Sequence, residues 1–148
     1  MSEARLVKSI QRLASALAKQ ERQTAAGFGV SVSQMRLLSS LETTQAPARI
    51  SDLATEQGLA VSTMTRNLAL LEEKGFLRRV PGADDKRTVT VELSESGRAL
   101  AAKLSDTNIA RFAQAFRGFH PTDRVERAVA LDRVAAAIEK IDDEPEGS

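Results

Sequence analysis

The chain has 148 residues, with 21 Lys and Arg against 20 Asp and Glu for a net charge of +1, which fits one compact domain or two small lobes and excludes a large multidomain enzyme. Its 16 Leu, 5 Ile, 10 Val and 5 Phe lift it above the composition of disordered chains, and 23 Ala beside 8 Gly and 4 Pro lean it toward helix. The absence of cysteine excludes disulfides, thiolate chemistry and Cys-ligated zinc, and a single histidine, His120, removes most other metal and His-base chemistry.

In chain order, apolar Leu6, Ile10, Leu13 and Leu17 recur at spacings of 4, 3 and 4, the stripe of a helix over about residues 4–26 that Gly27 and Gly29 end. Met35, Leu37, Leu38 and Leu41 predict a second helix over about 33–42, capped by Ser31 or Ser33. Pro47 then breaks the chain. Ser51 is the expected N-cap of a short helix, DLATEQ, that stops at Gly58, a residue suited to a left-handed terminus. Ser62 opens a further helix to Lys74, with Met64, Leu68 and Leu71 inward and Gly75 closing it. FLRRV, PGADDK and RTVTVEL read as a β-hairpin, with Val89, Val91 and Leu93 alternating with polar residues. Ser94 caps a long helix carrying Leu100, Leu104, Phe112 and Phe116. After Gly118, His120-Pro121 starts a last helix with a stripe of Leu131, Val134, Ile138 and Ile141. The tail DDEPEGS, residues 142–148, is acidic and expected to fray.

Helix, glycine turn, helix and hairpin make the plan of a winged helix-turn-helix, here mainly α with a small β-hairpin wing. The expected division is a winged lobe over 31–93 between helical regions at 1–30 and 94–141. Net charge runs +3, −1, +2 and −3 over residues 1–30, 31–61, 62–90 and 91–148, so the neutral total hides a polarised chain. A helix of about 13 residues is about 20 Å long and fits a DNA major groove where its leading side chains are small or polar. Ser62, Thr63, Thr65, Arg66 and Asn67 meet that condition, and Arg66 alone carries a bidentate donor fork suited to guanine. Ser51, on the preceding helix, joins the candidates for DNA contact. Arg78, Arg79, Lys86 and Arg87 would grip phosphates from the hairpin, with Asp85 pairing to Arg87 and holding its side chain in one orientation. Each of these residues also has a plainer reading, as a helix cap, a turn residue or a solvated charge.

The run SDLATEQGLAVSTMTRNLALLEEKGFLRRV, followed by DDKR and LSESG, resembles the MarR family of bacterial transcription regulators. Thr65-Arg66, Leu71-Glu72 with Gly75, Asp85 with Arg87, and Leu93-Ser94 with Gly97 meet that family's pattern in order. The resemblance implies a homodimer in which the first, fifth and sixth helices of two subunits interlock and set two winged lobes on one face of a duplex. The Leu6–Leu17 and Leu131–Ile141 stripes agree with dimerisation, unless they cover each other within one chain. A two-fold dimer predicts a pseudo-palindromic site with half-sites about 10 bp apart. The resemblance further implies repression and release by a small aromatic or anionic effector, for which Phe28, Phe112, Phe116 and Phe119 are the available rings in a chain without Tyr or Trp.

Two other classes compete. A winged helix also serves as a protein-binding module, distinguishable because binding through several phosphates weakens steeply with salt. An enzyme would need a nucleophile with a base, paired carboxylates in a cleft, a metal cluster or a phosphate loop, and the sequence offers none of these sets. No cofactor is expected. With no apolar run near the roughly 18 residues of a membrane span and no signal-like start, a cytoplasmic location is expected.

Overall fold

The computed structural model describes residues 2–44, 46–85 and 87–141, so Lys86 and the tail expected to fray at 142–148 lie outside the described residues. Helices and strands follow in the order α1 (Glu3–Gly27), α2 (Val32–Thr43), β1 (Ala48–Arg49), α3 (Ile50–Gln57), α4 (Val61–Glu73), β2 (Leu77–Pro81), β3 (Val89–Leu93), α5 (Glu95–Phe116) and α6 (Pro121–Glu139). They form two compact units, one ending at Ile109 and one beginning at Ala110.

The first unit is organised around a core to which α2, α3, α4, α5 and the sheet contribute apolar side chains, while α1 adds only Ala25 near its end. Met35, Leu37, Leu38 and Leu41 of α2, Leu53 of α3, and Met64, Leu68 and Leu71 of α4 are buried together with Leu77, Val91, Leu93 and Leu104. Each such side chain contributes roughly 1.5–3 kcal/mol by leaving water. Helix α2 starts with a reciprocal capping box: Gln34 N donates to Ser31 Oγ at 3.1 Å, and Ser31 N donates to Gln34 Oε1 at 3.1 Å. Ser31 is therefore the cap, which frees Ser33 for another role.

Two expected caps are corrected. Arg49 and Ala60 occupy the N-cap positions of α3 and α4, and neither gives a side-chain cap. Ser51 and Ser62 instead sit one residue inside the first turn of each helix. For α3 the reason is strand pairing: Arg49 is held extended opposite Thr90, so the helix begins where the strand stops. For α4 the three residues after α3 decide. Gly58 takes the left-handed conformation at φ 64°, and Leu59 N closes back onto Ala54 O at 2.9 Å, which leaves Ala60 as the extended residue.

The expected hairpin is part of a three-stranded antiparallel sheet of order β1-β3-β2. Its long arm pairs Leu77 with Leu93, Arg79 with Val91 and Pro81 with Val89. Val91 and Leu93 enter the core, but Val89 lies beyond its edge and is exposed, and Thr90 on the opposite face is buried with Oγ1 donating to Val80 O at 3.0 Å. Helix α5 docks on the start of β2 through Ser94, whose N donates to Phe76 O at 3.0 Å and whose Oγ accepts from Gly97 N at 3.1 Å.

In the second unit His120 is the N-cap of α6, its Nδ1 accepting from Thr122 N at 3.3 Å, with Pro121 in the first turn. The Phe116 and Phe119 rings lie 6.1 Å apart, and the Arg127 guanidinium sits 4.6 Å over the Phe119 ring.

Candidate nucleic-acid interface

Helix α4 separates its residues by chemistry. Met64, Leu68 and Leu71 are fully buried, whereas Ser62, Thr65, Arg66 and Ala69 are exposed on the opposite side. The side chains of Ser62 and Arg66 make no hydrogen bond or ion pair among the described residues. Thr65 Oγ1 donates to Val61 O at 2.8 Å, which keeps its lone pairs outward. Thr63 and Asn67 lie at the flank, half-buried. Asn67 is not free: its Nδ2 donates to Ser33 Oγ at 2.8 Å. The polar face expected to meet bases is thus assembled, with Asn67 drawn back from it.

In the wing, two of the four expected cations are paired with carboxylates. Arg78 Nε donates to Glu92 Oε1 at 2.6 Å across the two strands, and Arg79 Nε donates to Glu72 Oε2 at 2.9 Å, tying the base of β2 to the last turn of α4. Surface pairs of this kind contribute about 0.2–1 kcal/mol each, so they matter here for geometry and charge neutralisation more than for stability. Arg87 keeps a free guanidinium among the described residues and is exposed. Asp85 does not pair with that guanidinium. Its Oδ1 accepts instead from the Arg87 backbone N at 2.9 Å, closing an Asx turn at the wing. The turn is completed by Gly82 N donating to Thr88 O at 2.8 Å and Thr88 N to Asp85 O at 3.0 Å. A Cβ on Gly82 would come within 2.7 Å of the Asp85 carbonyl oxygen, so the wing needs a glycine there.

One cation escaped the sequence reading. Arg49 is exposed and without an ion pair among the described residues, immediately ahead of α3. Only an Arg directly before a helix start could have signalled it.

The expected hydrophobic stripes are open. Leu6, Leu13 and Leu17 of α1 are 39–47% exposed, and Leu131 and Ile138 of α6 with Ile141 just past its end are 45–68% exposed, with Ile10 and Val134 half-buried. Of the rings expected to serve an effector, Phe28 packs against the core of the first unit, and Phe112 and Phe116 belong to the second. In the first unit a cleft of about 350 Å³ runs beside α2, lined by Glu21, Arg36, Ser39, Ser40, Glu56 and Asn108 among others. Arg36 is paired with Glu21 at 2.6 Å, and Ser40 Oγ lies within 2.9 Å of both Glu56 oxygens. Among the described residues no helix is long and apolar enough to cross a membrane, and no cluster of metal-ligating side chains is present.

A core-pinned helix pair, α3 and α4, followed by a two-stranded wing closed by an antiparallel sheet, defines a winged helix-turn-helix. Residues 30–89 match the model of the MarR family. The chain is 28% identical over 109 residues to the HTH-type transcriptional regulator PecS of Dickeya dadantii, a match covering 72% of this chain and 66%, just under two thirds, of that protein. It shares its fold with a MarR family protein from Bacillus stearothermophilus, at a TM-score of 0.82 and 20% identity over 95% of this chain and 99% of the other. It also shares it with Streptococcus pneumoniae FabT in a complex with DNA, at a TM-score of 0.77 and 19% identity over 95% of this chain and 99% of the other. The winged helix-turn-helix segment is thus similar to the MarR family over residues 30–89, and the relatives it resembles are transcription regulators.

Proposed function

We propose that the chain is a sequence-specific double-stranded DNA-binding regulator, a cytoplasmic repressor that holds a pseudo-palindromic operator as a homodimer and is released by a small effector. The observation that carries this reading is α4 itself: its apolar side is fully buried, while Ser62, Thr65 and Arg66 face outward with no carboxylate partner among the described residues. An Arg donor fork left unpaired on the leading turns of an exposed 13-residue helix suits the O6 and N7 edge of guanine. The MarR-family match over residues 30–89 and the fold shared with FabT, solved in complex with DNA, support the same reading.

Roles divide by reach. Ser62, Thr63, Thr65 and Arg66 meet base edges or adjoining phosphates. Ser51 and the exposed Arg49 flank the groove from α3. Arg87 contacts backbone or minor groove from the wing, with Lys86 beside it in sequence. Arg78 and Arg79, each joined to a carboxylate, shape the wing more than they reach from it. The open stripes of α1 and α6 serve the second subunit, with 1–30 and 94–141 as the dimerising regions and 31–93 as the DNA-binding lobe. A small effector acts by binding the DNA-incompetent form of the dimer more tightly than the competent one. The polar cleft beside α2 and the rings of Phe28, Phe112 and Phe116 are the candidate contacts.

Selection of bound duplexes from a random pool tests the reading in one step. An inverted repeat with half-sites about 10 bp apart is the expected product. Recovery of no consensus, or binding that is indifferent to salt, would leave a protein-binding winged helix in its place.

A further inference from the structure

Base reading by α4 depends on how the helix is rolled about its own axis, and its apolar contacts specify that angle weakly. Burial of Met64, Leu68 and Leu71 sets how deep the helix lies, but hydrophobic contact carries no direction of its own. A roll of about 10° displaces atoms at a helix's outer radius of about 5–6 Å by about 1 Å, and about 1 Å is enough to loosen a placed bidentate contact.

Polar bonds supply the missing direction: besides the Arg79–Glu72 pair at the last turn, two of them end at the junction of α1 and α2. Asn67 Nδ2 donates to Ser33 Oγ at 2.8 Å in a part-buried contact between residues 34 apart in sequence. Lys74, the C-cap of α4, reaches Gly29 O with its Nζ at 3.4 Å. The shorter bond has the firmer anchor, because Ser33 lies in the first turn of α2 between the two members of the Ser31–Gln34 capping box. Asn67 also occupies the right place on the helix: it directly follows Arg66 and stands at the boundary between the buried and outward faces, where a bond resists rotation best.

We propose that Asn67 is a positioning residue that locks the roll of α4 through Ser33 and so orients Ser62 and Arg66, in place of reading a base itself. The proposal rests on the DNA-binding reading above. It differs from the expectation drawn from residue type alone, which grouped Asn67 with the base readers.

The test uses the full chain and its Ser33→Ala, Asn67→Ala and doubly substituted forms. Each is titrated at one salt concentration against the duplex that the wild type selects and against a scrambled duplex, and each is melted. Ser33→Ala takes nothing away from α4, yet it should lower the ratio of selected to scrambled affinity roughly threefold to tenfold, the range set by one ordinary hydrogen bond. Asn67→Ala should match it, and the double form should fall no further than the lower single, since the two side chains make one bond. A Ser33→Ala chain with the wild-type ratio overturns the proposal, and if Asn67→Ala alone then collapses that ratio, Asn67 reads a base directly. Equal weakening on both duplexes together with a lower melting temperature also overturns it, leaving the bond a purely structural one. A wild type that selects no duplex removes the functional reading and the proposal with it, an outcome distinct from the other two.

Discussion

Arg66 and Arg87 are both exposed cations whose guanidinium groups are free among the described residues, yet their removal should have different consequences. Arg66 lies on the groove-facing side of α4, so Arg66→Ala should cost about 1–3 kcal/mol on the selected duplex and much less on random DNA. Arg87 lies at the wing, where a phosphate contact is indifferent to sequence. Arg87→Ala should weaken both duplexes by similar factors, about 1–3 kcal/mol, and flatten the salt dependence. Mobility shifts on the two duplexes at several salt concentrations check both outcomes, and equal losses for Arg66→Ala would remove it from base reading. At this scale the residue types were legible in the sequence and their partners were not. Asp85 illustrates why: a short carboxylate two residues before an amide closes a local turn at little entropic cost, so it takes the Arg87 backbone N–H and leaves the long side chain alone. Arg78 and Arg79 found Glu92 and Glu72 only because strand pairing and the return of β2 past α4 brought them together, information that no local pattern contains.

Among elements, the seat of α5 on β2 is the most demanding contact. Gly97 faces the Phe76 carbonyl so closely that a Cβ there would overlap its oxygen, and that backbone has no flexible end to move aside. Beside it, Ser94 Oγ and Ser96 Oγ both donate to Gly75 O, at 2.5 and 2.9 Å. Gly97→Ala should therefore push α5 off the sheet, strain these bonds and destabilise the chain by about 3 kcal/mol, measurable as a lower urea midpoint. A variant as stable as the wild type would show that the helix can shift cheaply. The same contact gives a physical reason for the Leu93-Ser94 and Gly97 pattern that carried the family resemblance. The six helices were legible from their stripes within a residue or two at their starts. The strand β1 was not, because two residues cannot display alternation and its existence depends on Val91 and Thr90 of a strand some 40 positions on. Its presence then displaced the expected cap at Ser51, a case of tertiary pairing overriding a local preference.

For the whole molecule, the question is what covers the terminal helices. Leu6, Leu13 and Leu17 stand 39–47% exposed along one side of α1, an arrangement that costs free energy in water unless a second surface meets it. Sedimentation at micromolar concentration should give twice the chain mass. Leu13→Glu, which places a charge in the middle of that stripe in both subunits, should weaken association by about 3 kcal/mol or more while leaving the winged lobe folded. A wild-type chain that sediments as a single copy, or a Leu13→Glu dimer as tight as the wild type, would count against this assignment. Loss of the dimer should also abolish the preference for an inverted repeat over a single half-site.

One detail of the lobe bears on how such chains can vary in length. Arg49 is at once the last residue of β1 and the N-cap of α3, so no spare peptide separates the sheet from the helix pair. An extra residue inserted there would turn α3 by about 100° about its axis and swing Leu53 and Ala54 away from the interior. The seam of an engineered chimera should therefore be placed away from this splice, and a one-residue insertion after Arg49 should unfold the lobe.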